Sequence, residues 1–468
     1  VSVATGEESL EIKTRFPESV ITDITYDGHD AVLFDGSYDK KVRDEIFRLI
    51  TQRGKLKKAH GEILGQPGKK LTTKLRKSDL PLPSKVLSAE QSNTAMLYDN
   101  RFFFKMYRSP EEGKNPELEL LKALTENTAF RNFPTYAGSL EYRLAGKENM
   151  SLGILVDFVP NEGNAWEYAQ SAIETYFDSI MADKERLTEE LSSSGEDAYT
   201  ALGEERVKEY MDPFFLEMIE LLGERTAEMH MALSSIRNMT EFKEEPFSLL
   251  YQKSLYQSFR TLIKKTIGQM KTSRRKLDGE QKELVDYIVH NENLLLDSIK
   301  QTLNEKKMRT SKIRVHGDYH LGQVLFTGKD FIIIDFEGEP TRSLTARKLK
   351  YCPFKDVAGM LRSFHYAIYM GELDYRSKVP DNSEFLQPWL ESWYQIVSQA
   401  FMRGYLKKSD HASFVPEENR QVDDLLSLFT IEKAIYEADY ELNNRPDWLH
   451  IPLSGLKKIM DNLLAGEK

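Results

Sequence analysis

Asp318, Gln323 and Asp335 fall in one stretch, 313–339, where short apolar runs alternate with polar residues that a core would not select. Residues 313–315 enter a loop at His316-Gly317-Asp318. Val324-Leu325-Phe326 reads as a strand, Thr327-Gly328-Lys329-Asp330 has turn chemistry, and 331–334 reads as a strand ending on Asp335. Two carboxylates and an amide are thus delivered from neighbouring loops of a small β structure. Such a set suits phosphoryl transfer. One carboxylate orients a hydroxyl and takes its proton, while an amide oxygen and the second carboxylate hold magnesium on nucleotide phosphates. A hairpin with polar tips explains either turn alone, but not both acids and the amide together.

His-x-Asp-x-x-x-x-Asn, then an apolar strand and Asp-Phe-Gly, is the pattern of kinase catalytic loops. Here Gln323 replaces the Asn and Glu337 replaces the Gly. Gln offers the same carbonyl oxygen one methylene further out. His316 and His320 would suit zinc only on a helix, which Gly317 and the flanking strands oppose, and no Glu follows His316. We read His316 as bracing the loop and His320 as lining the acceptor site.

Other elements must position the nucleotide. Ser88-Ala89-Glu90-Gln91-Ser92-Asn93-Thr94 lies between two strand-like runs, where a kinase covers the phosphates. It has no glycine, but small polar side chains leave backbone N–H groups open to phosphate, and Ser92, Asn93 and Thr94 are the candidates. A polar hairpin tip would read alike. Lys105 sits inside the aromatic strand Phe102-Phe103-Phe104-Lys105-Met106-Tyr107, where an ammonium is costly to bury unpaired. Holding the α- and β-phosphates supplies a reason; an edge lysine reaching water is the alternative. Asn115-Pro116-Glu117-Leu118-Glu119 opens a helix with Asn as N-cap, Pro at N1 and acids in the first turn. One acid should pair with Lys105: Glu117 shares a side with Leu120, Leu121 and Leu124, and Glu119 is the other candidate. The run 152–160 reads as a buried strand whose last residues, Asp157, Phe158 and Val159, form a hinge meeting adenine.

Residues 165–312 read as charged helices without chemistry. Phe215, Ile219, Leu222, Met229 and Leu233 make one packing stripe, and His230 and His290 read as structural. Asp356 either caps the helix that follows or braces the 316–318 loop. In 431–448, Ile431, Ala434, Ile435, Ala438 and Leu442 form one stripe. Lys433, Tyr436, Tyr440 and Asn444 form the opposite one, flanked by Glu437 and Glu441, with Trp448 close behind. Aromatic and hydrogen-bonding groups suit a sugar; a solvated face is the alternative.

The wider wording resembles the bacterial maltokinase family over about 85–455. It comprises His316-Gly317-Asp318-Tyr319-His320-Leu321-Gly322-Gln323-Val324-Leu325, Ile334-Asp335-Phe336-Glu337-Gly338-Glu339-Pro340 and Asp356-Val357-Ala358-Gly359-Met360-Leu361-Arg362-Ser363-Phe364. The resemblance implies an aminoglycoside-phosphotransferase-like, protein-kinase-like fold. This is a bilobal α+β architecture with an N-terminal cap (1–85), an N-lobe (86–160) and a mostly helical C-lobe (161–468). It implies ATP and Mg2+, maltose as acceptor, maltose 1-phosphate as product in a trehalose-to-glycogen route, and fusion or association with trehalose synthase. Under it Asp318 is the base with His316 beside it, Gln323 and Asp335 bind magnesium, and Glu119 matches the family wording as partner of Lys105. His320, Lys433, Tyr436, Tyr440 and Trp448 line the sugar, and Glu337 faces the sugar or the metal.

The 468 residues, 40% hydrophobic and 29% charged, suffice for two or three domains with a substantial core. No apolar run reaches the roughly eighteen residues of a membrane helix. A net charge of −10 weighs against general nucleic-acid or anionic-membrane binding, and the basic stretch 55–77 reads as a solvated hairpin. The single cysteine, Cys352, and the absence of a visible signal peptide fit a reducing cytoplasm. The start at Val1 reads as a processed product or part of a longer polypeptide. Two other functions compete. A kinase for another small hydroxyl compound, of aminoglycoside or choline type, would want acidic clusters for a cationic acceptor. A nucleotide-binding regulatory subunit without catalysis would explain Gln323, Glu337 and the glycine-free loop, but not the intact Asp318, Asp335 and Lys105.

Overall fold

The computed structural model describes the chain apart from residues 59, 72–74, 76–78, 88–92, 195–202, 278, 305–306, 380–382 and 467–468. The described chain forms two compact units, Val1–Pro160 with Pro340–Arg347, and Asn161–Glu339 with Lys348–Lys468. No described helix is long and apolar enough to cross a membrane.

The first unit holds two sheets. Strands β1 (Ser2–Thr5), β2 (Val20–Tyr26) and β3 (His29–Phe34) pair in the order β1-β3-β2. Asp27 and Gly28 both have positive φ, the backbone that a tight two-residue hairpin turn requires. The larger sheet is antiparallel and seven-stranded. It comprises β4 (Lys55–Lys58), β5 (Gly61–Pro67), β6 (Ser84–Leu87), β7 (Asn93–Tyr98), β8 (Phe102–Tyr107), β9 (Tyr136–Arg143) and β10 (Met150–Asp157), in the order β4-β5-β9-β10-β8-β7-β6. The basic stretch is therefore a hairpin whose second strand, β5, pairs with β9 inside this sheet rather than standing alone. Leu64 explains the difference: it is buried, so the strand carries its own share of core. Phe102 and Phe104 face one side of β8 and pack with Phe47, Ile50, Met96 and Leu155. That leaves Lys105 and Tyr107 on the other face by the two-residue period.

The second unit is mostly helical. Its long helices are Ala165–Ala182, Pro213–Ser235, Leu249–Ser273, Phe354–Lys378, Ser383–Lys408, Asn419–Asn444 and His450–Ala465. The stripe of Phe215, Ile219, Leu222, Met229 and Leu233 is buried throughout. Two glycines set how closely the Pro213–Ser235 and Ser383–Lys408 helices cross. A Cβ on Gly223 would strike the carbonyl of Phe401, and one on Gly404 that of Glu220. A two-residue pair, β11 (Glu245–Pro246) with β12 (Ser311–Lys312), leads into a hairpin of β13 (Val324–Phe326) and β14 (Phe331–Ile333). The 162–164 segment lies along β13: Glu162 donates to the Phe326 carbonyl and Phe326 to that of Gly163. Arg225 holds the hairpin turn, with Nε and Nη2 on the Asp330 carboxylate at 2.8 and 3.0 Å. These elements form an α+β, kinase-like fold.

Candidate active site

In the second unit the 316–318 loop is fixed from three sides. The buried Asp356, in the first turn of the Phe354–Lys378 helix, accepts the backbone N–H of His316 at 2.7 Å and of Gly317 at 2.9 Å. It is thus the brace of the loop, while Pro353 occupies the N-cap. The positive φ of Gly317 (87°) turns both N–H groups toward one carboxylate. Burial alone would raise the Asp356 carboxyl. The hydrogen bond from His230, the neighbouring imidazoles of His230 and His316, and the Gly317 N–H outweigh it and hold the group below its ordinary value. From the second side, Tyr319 is buried and joins Thr226 by hydroxyls 2.8 Å apart. The same helix approaches so closely that a Cβ on Gly359 would stand 2.7 Å from the Tyr319 carbonyl. From the third, the His316 ring donates Nε2–H to the Ile334 carbonyl at 2.8 Å, and its Nδ1 faces the Asp318 N–H at 3.4 Å. One imidazole therefore ties the segment carrying Asp318 to the residue before Asp335.

Asp335 has φ of 62°, a left-handed conformation uncommon for a residue with a side chain and frequent where function dictates geometry. Gln323 donates Nε2–H to its carboxylate at 3.0 Å, and Glu337 offers a carboxylate oxygen within 4.8 Å of it. Amide and carboxylate oxygens side by side are the hard donors magnesium takes, so Gln323, Asp335 and Glu337 fit that ion by their chemistry.

Asp318 itself is flanked by two nitrogens. Lys433 Nζ lies 3.9 Å from Oδ1, and His320 Nε2 lies 4.0 Å from Oδ2. The His320 Nδ1 accepts the Gly322 N–H at 3.1 Å, which assigns the ring proton to Nε2. Desolvation, with Lys433 and His316, pushes His320 below the ordinary histidine value against the pull of Asp318. Desolvation would lower the Lys433 ammonium, but Asp318, Glu437, Glu339 and Glu432 together hold it above the ordinary lysine value. Lys433 is charged and His320 neutral at pH 7.

The Asn419–Asn444 helix that supplies Lys433 buries more than its apolar stripe. Glu432, Glu437 and Glu441 are buried too, each with a basic partner. Lys355 takes Glu432, Arg362 takes Glu437 at 2.9 Å, and Arg445 takes Glu441 through Nε and Nη2 at 2.9 and 2.8 Å. Tyr436 is half-buried beneath the Lys433 ammonium, 5.3 Å from the ring centroid, rather than a bare platform. Tyr440 is exposed, and the Arg445 guanidinium lies 5.2 Å from its ring and 4.4 Å from that of Trp448. Arg362, Arg445, Glu437 and Glu441 thus form charged pairs, where a helical wheel puts the two acids only on the flank of the Lys433–Tyr440 stripe. The one signal within the segment is the i,i+4 pair Glu441–Arg445, whereas Arg362 is distant in sequence.

The nucleotide candidates lie in the first unit, and three expectations change there. Lys105 pairs with Glu117, not Glu119. The Nζ–Oε2 distance is 3.2 Å, the side chains are 13% and 6% exposed, and Tyr107 donates its hydroxyl to the same carboxylate at 3.0 Å. The helix Pro116–Asn127 buries Glu117 on the side of Leu120, Leu121 and Leu124, while Glu119 is only partly buried. Asn93 and Thr94 stand in β7, not in a loop, and the buried Thr94 hydroxyl accepts from Arg108 at 2.7 Å. Ser92 lies outside the described residues. At the hinge, the Asp157 N–H goes to the Thr135 carbonyl and the Phe158 N–H to that of Arg101, both at 2.9 Å. Neither could serve adenine without breaking a strand-end bond. Val159 follows directly.

No protein-family model matches the chain. It is 19% identical over 378 residues to a glucosamine kinase of Mycolicibacterium smegmatis, covering 80% of this chain and 79% of that one. It is 23% identical over 155 residues, 33% of each chain, to a glucosamine kinase of Streptacidiphilus jiangxiensis. Among solved structures, a glucosamine kinase in complex with glucosamine, ADP and inorganic phosphate aligns at a TM-score of 0.62 with 15% identity, over 94% of this chain and 87% of that one. A further glucosamine kinase crystal form aligns at 0.59 with 17% identity, over 87% of this chain and 93% of that one. At such identities the likeness is one of fold, and the chain has the kinase-like fold of those structures.

Proposed function

We propose that this chain is an ATP-dependent sugar kinase whose acceptor is maltose and whose product is maltose 1-phosphate. The observation that supports it most is the loop assembly in which His316 links the Asp318 segment to the Gln323–Asp335 pair while Asp356 braces it. The acceptor's anomeric hydroxyl oxygen forms a bond to the γ-phosphorus as the bond to the β–γ bridging oxygen breaks, and its proton passes to Asp318. Lys105, held by Glu117, carries the α- and β-phosphates. Gln323 and Asp335, with Glu337 beside them, would hold magnesium, which neutralises phosphate charge when bound. Lys433, Tyr436, Tyr440, Trp448 and His320 would supply hydrogen-bonding groups and ring edges to a disaccharide. The wording shared with maltokinases is what selects maltose among sugars.

A glucosamine acceptor is the second reading, favoured by the names of the relatives and by the three acids Glu432, Glu437 and Glu441. Each acid is matched by a lysine or arginine, and the charged Lys433 beside Asp318 disfavours an ammonium there. ADP release measured across maltose, glucosamine, glucose and choline tests both readings. Maltose should stand out, and a glucosamine-only response would replace the first reading by the second.

A further inference from the structure

Pro446 stops the Asn419–Asn444 helix, because a residue before proline is driven out of the helical region. Arg445 accordingly takes φ −143° and ψ 69°. A 3-10 turn, Pro446–Trp448, follows at once and closes with the Trp448 N–H on the Arg445 carbonyl at 2.9 Å. That turn carries the Trp448 ring to 4.4 Å from the Arg445 guanidinium, and the Tyr440 ring lies 5.2 Å away. The two rings that the sequence offers to a sugar are thus occupied by a guanidinium. Arg445 is itself held firmly. Its Nε and Nη2 both donate to the carboxylate of Glu441, which is 2% exposed and also accepts the Tyr366 hydroxyl at 3.4 Å. A bidentate pair with two flanking rings fixes the guanidinium plane. The Nη1 group has no partner among the described residues, and the arginine side chain is 45% exposed. Glu441 offsets the charge, so Nη1 presents two N–H donors rather than a net cation. Donors fixed in direction suit the oxygens of a neutral hydroxyl compound, and this side chain has lost its rotamer freedom before any ligand arrives.

We propose that Arg445 is a specificity-determining residue whose Nη1 donates to the sugar unit remote from the reacting hydroxyl. The reacting hydroxyl belongs at Asp318, beside which Lys433 stands at 3.9 Å. From Lys433 to Tyr440 the helix runs two turns, about 10 Å at 1.5 Å per residue. Donors at the level of Tyr440 are therefore a sugar ring removed from the reacting one, where the second unit of a disaccharide lies. Tyr440 and Trp448 act here as the clamp on Arg445, and Arg445 makes the polar contact. The proposal rests on the disaccharide reading of the acceptor.

The test uses the full chain with ATP and Mg2+, measuring kcat and KM for maltose and for glucose beside melting curves. Arg445→Met keeps the stem between the rings and removes every donor, and Arg445→Lys keeps a charge for Glu441 but replaces the fork by one ammonium. In Arg445→Met the maltose KM should rise about tenfold while kcat changes less than about twofold, and the maltose-to-glucose ratio of kcat/KM should fall by the same factor. Arg445→Lys should show the same trend more weakly. If Arg445→Met does not fold because Glu441 is left unpaired, Arg445→Lys and Arg445→Met combined with Glu441→Gln carry the test. A merely structural arginine would lower the melting temperature and the active fraction without moving the maltose KM or the ratio, and that result would overturn the proposal. Equal losses for maltose and glucose would overturn it as well, since the residue would then touch the reacting ring. The acceptor reading is judged on the wild type. Turnover of glucosamine but not of maltose refutes the disaccharide reading and the outer subsite with it, whereas turnover of maltose with an unchanged maltose KM in the variants refutes only the role of Arg445.

Discussion

The ammonium of Lys433 stands 3.9 Å from a carboxylate oxygen of Asp318, so a fixed positive charge adjoins the proposed base. A second cation brought there by the acceptor would meet repulsion, whereas a neutral sugar would gain a donor. Lys433→Met should therefore weaken maltose use and relax the discrimination against glucosamine. About 1–2 kcal/mol of charge interaction predicts a shift of roughly tenfold in the glucosamine-to-maltose ratio of kcat/KM. Measuring both constants for both sugars checks it. A ratio that stays put would remove Lys433 from acceptor selection.

Glu117 and Glu119 should separate sharply. The Lys105–Glu117 pair is buried, and removing one partner of such a pair leaves the other charge uncompensated. Glu117→Gln should raise the ATP KM about tenfold or more with the sugar KM little changed, whereas Glu119→Gln should stay within about twofold. Steady-state kinetics with ATP varied at saturating sugar decides between them.

Asp335→Asn should disturb magnesium dependence more than Gln323→Ala, because it removes a full charge where the amide contributes a dipole. The two side chains touch at 3.0 Å, so Gln323→Ala should also loosen Asp335 and its effect should not be zero. Magnesium titrations of activity at fixed ATP report this. Unchanged titrations in both variants would dissociate these residues from the metal.

Glu372 supplies a stability test away from the site. It is 4% exposed, its Oε1 has no hydrogen-bond partner among the described residues, and Arg376 Nε is 3.8 Å away. Burial raises its carboxyl above the ordinary value against the weaker pull of Arg376. The folded state thus holds the proton more tightly than the unfolded one. Its contribution is fully present below about pH 4.5 and is lost as pH rises through the raised folded value. Glu372→Gln should melt higher than wild type at pH 8, by about 1 kcal/mol or roughly 2 °C, and should match it near pH 4.5. Melting curves at the two pH values check the sign.

Chemistry that is local in the chain is legible in the sequence. Asp318, Gln323 and Asp335 could be read together because a loop, a hairpin and a strand end hold them within one short stretch. Lys105 stood out as a lysine in an aromatic strand. Its partner did not, because the choice between Glu117 and Glu119 depends on which side of a helix meets the sheet. Helical spacing does favour Glu117. Thr94 read as loop because a run of small polar residues resembles a turn, yet β7 begins at Asn93 and buries the hydroxyl against Arg108. The contacts of His230 with Asp356 and Tyr405 are hidden, since three helices far apart in sequence must pack before they form. The burial of Glu437, on the flank of the candidate sugar stripe, is hidden for the same reason. A wheel cannot know that Arg362 waits on another helix.

The most direct measurement is ADP release by the purified full chain with ATP and Mg2+ in the presence of maltose, with the product identified by phosphorus NMR, run beside Asp318→Asn. The account predicts maltose-dependent ADP release, an anomeric phosphate ester as product, and a fall of roughly 10²–10⁴ in turnover for Asp318→Asn with nucleotide binding retained. ADP release that no sugar stimulates, or full turnover in Asp318→Asn, would contradict it.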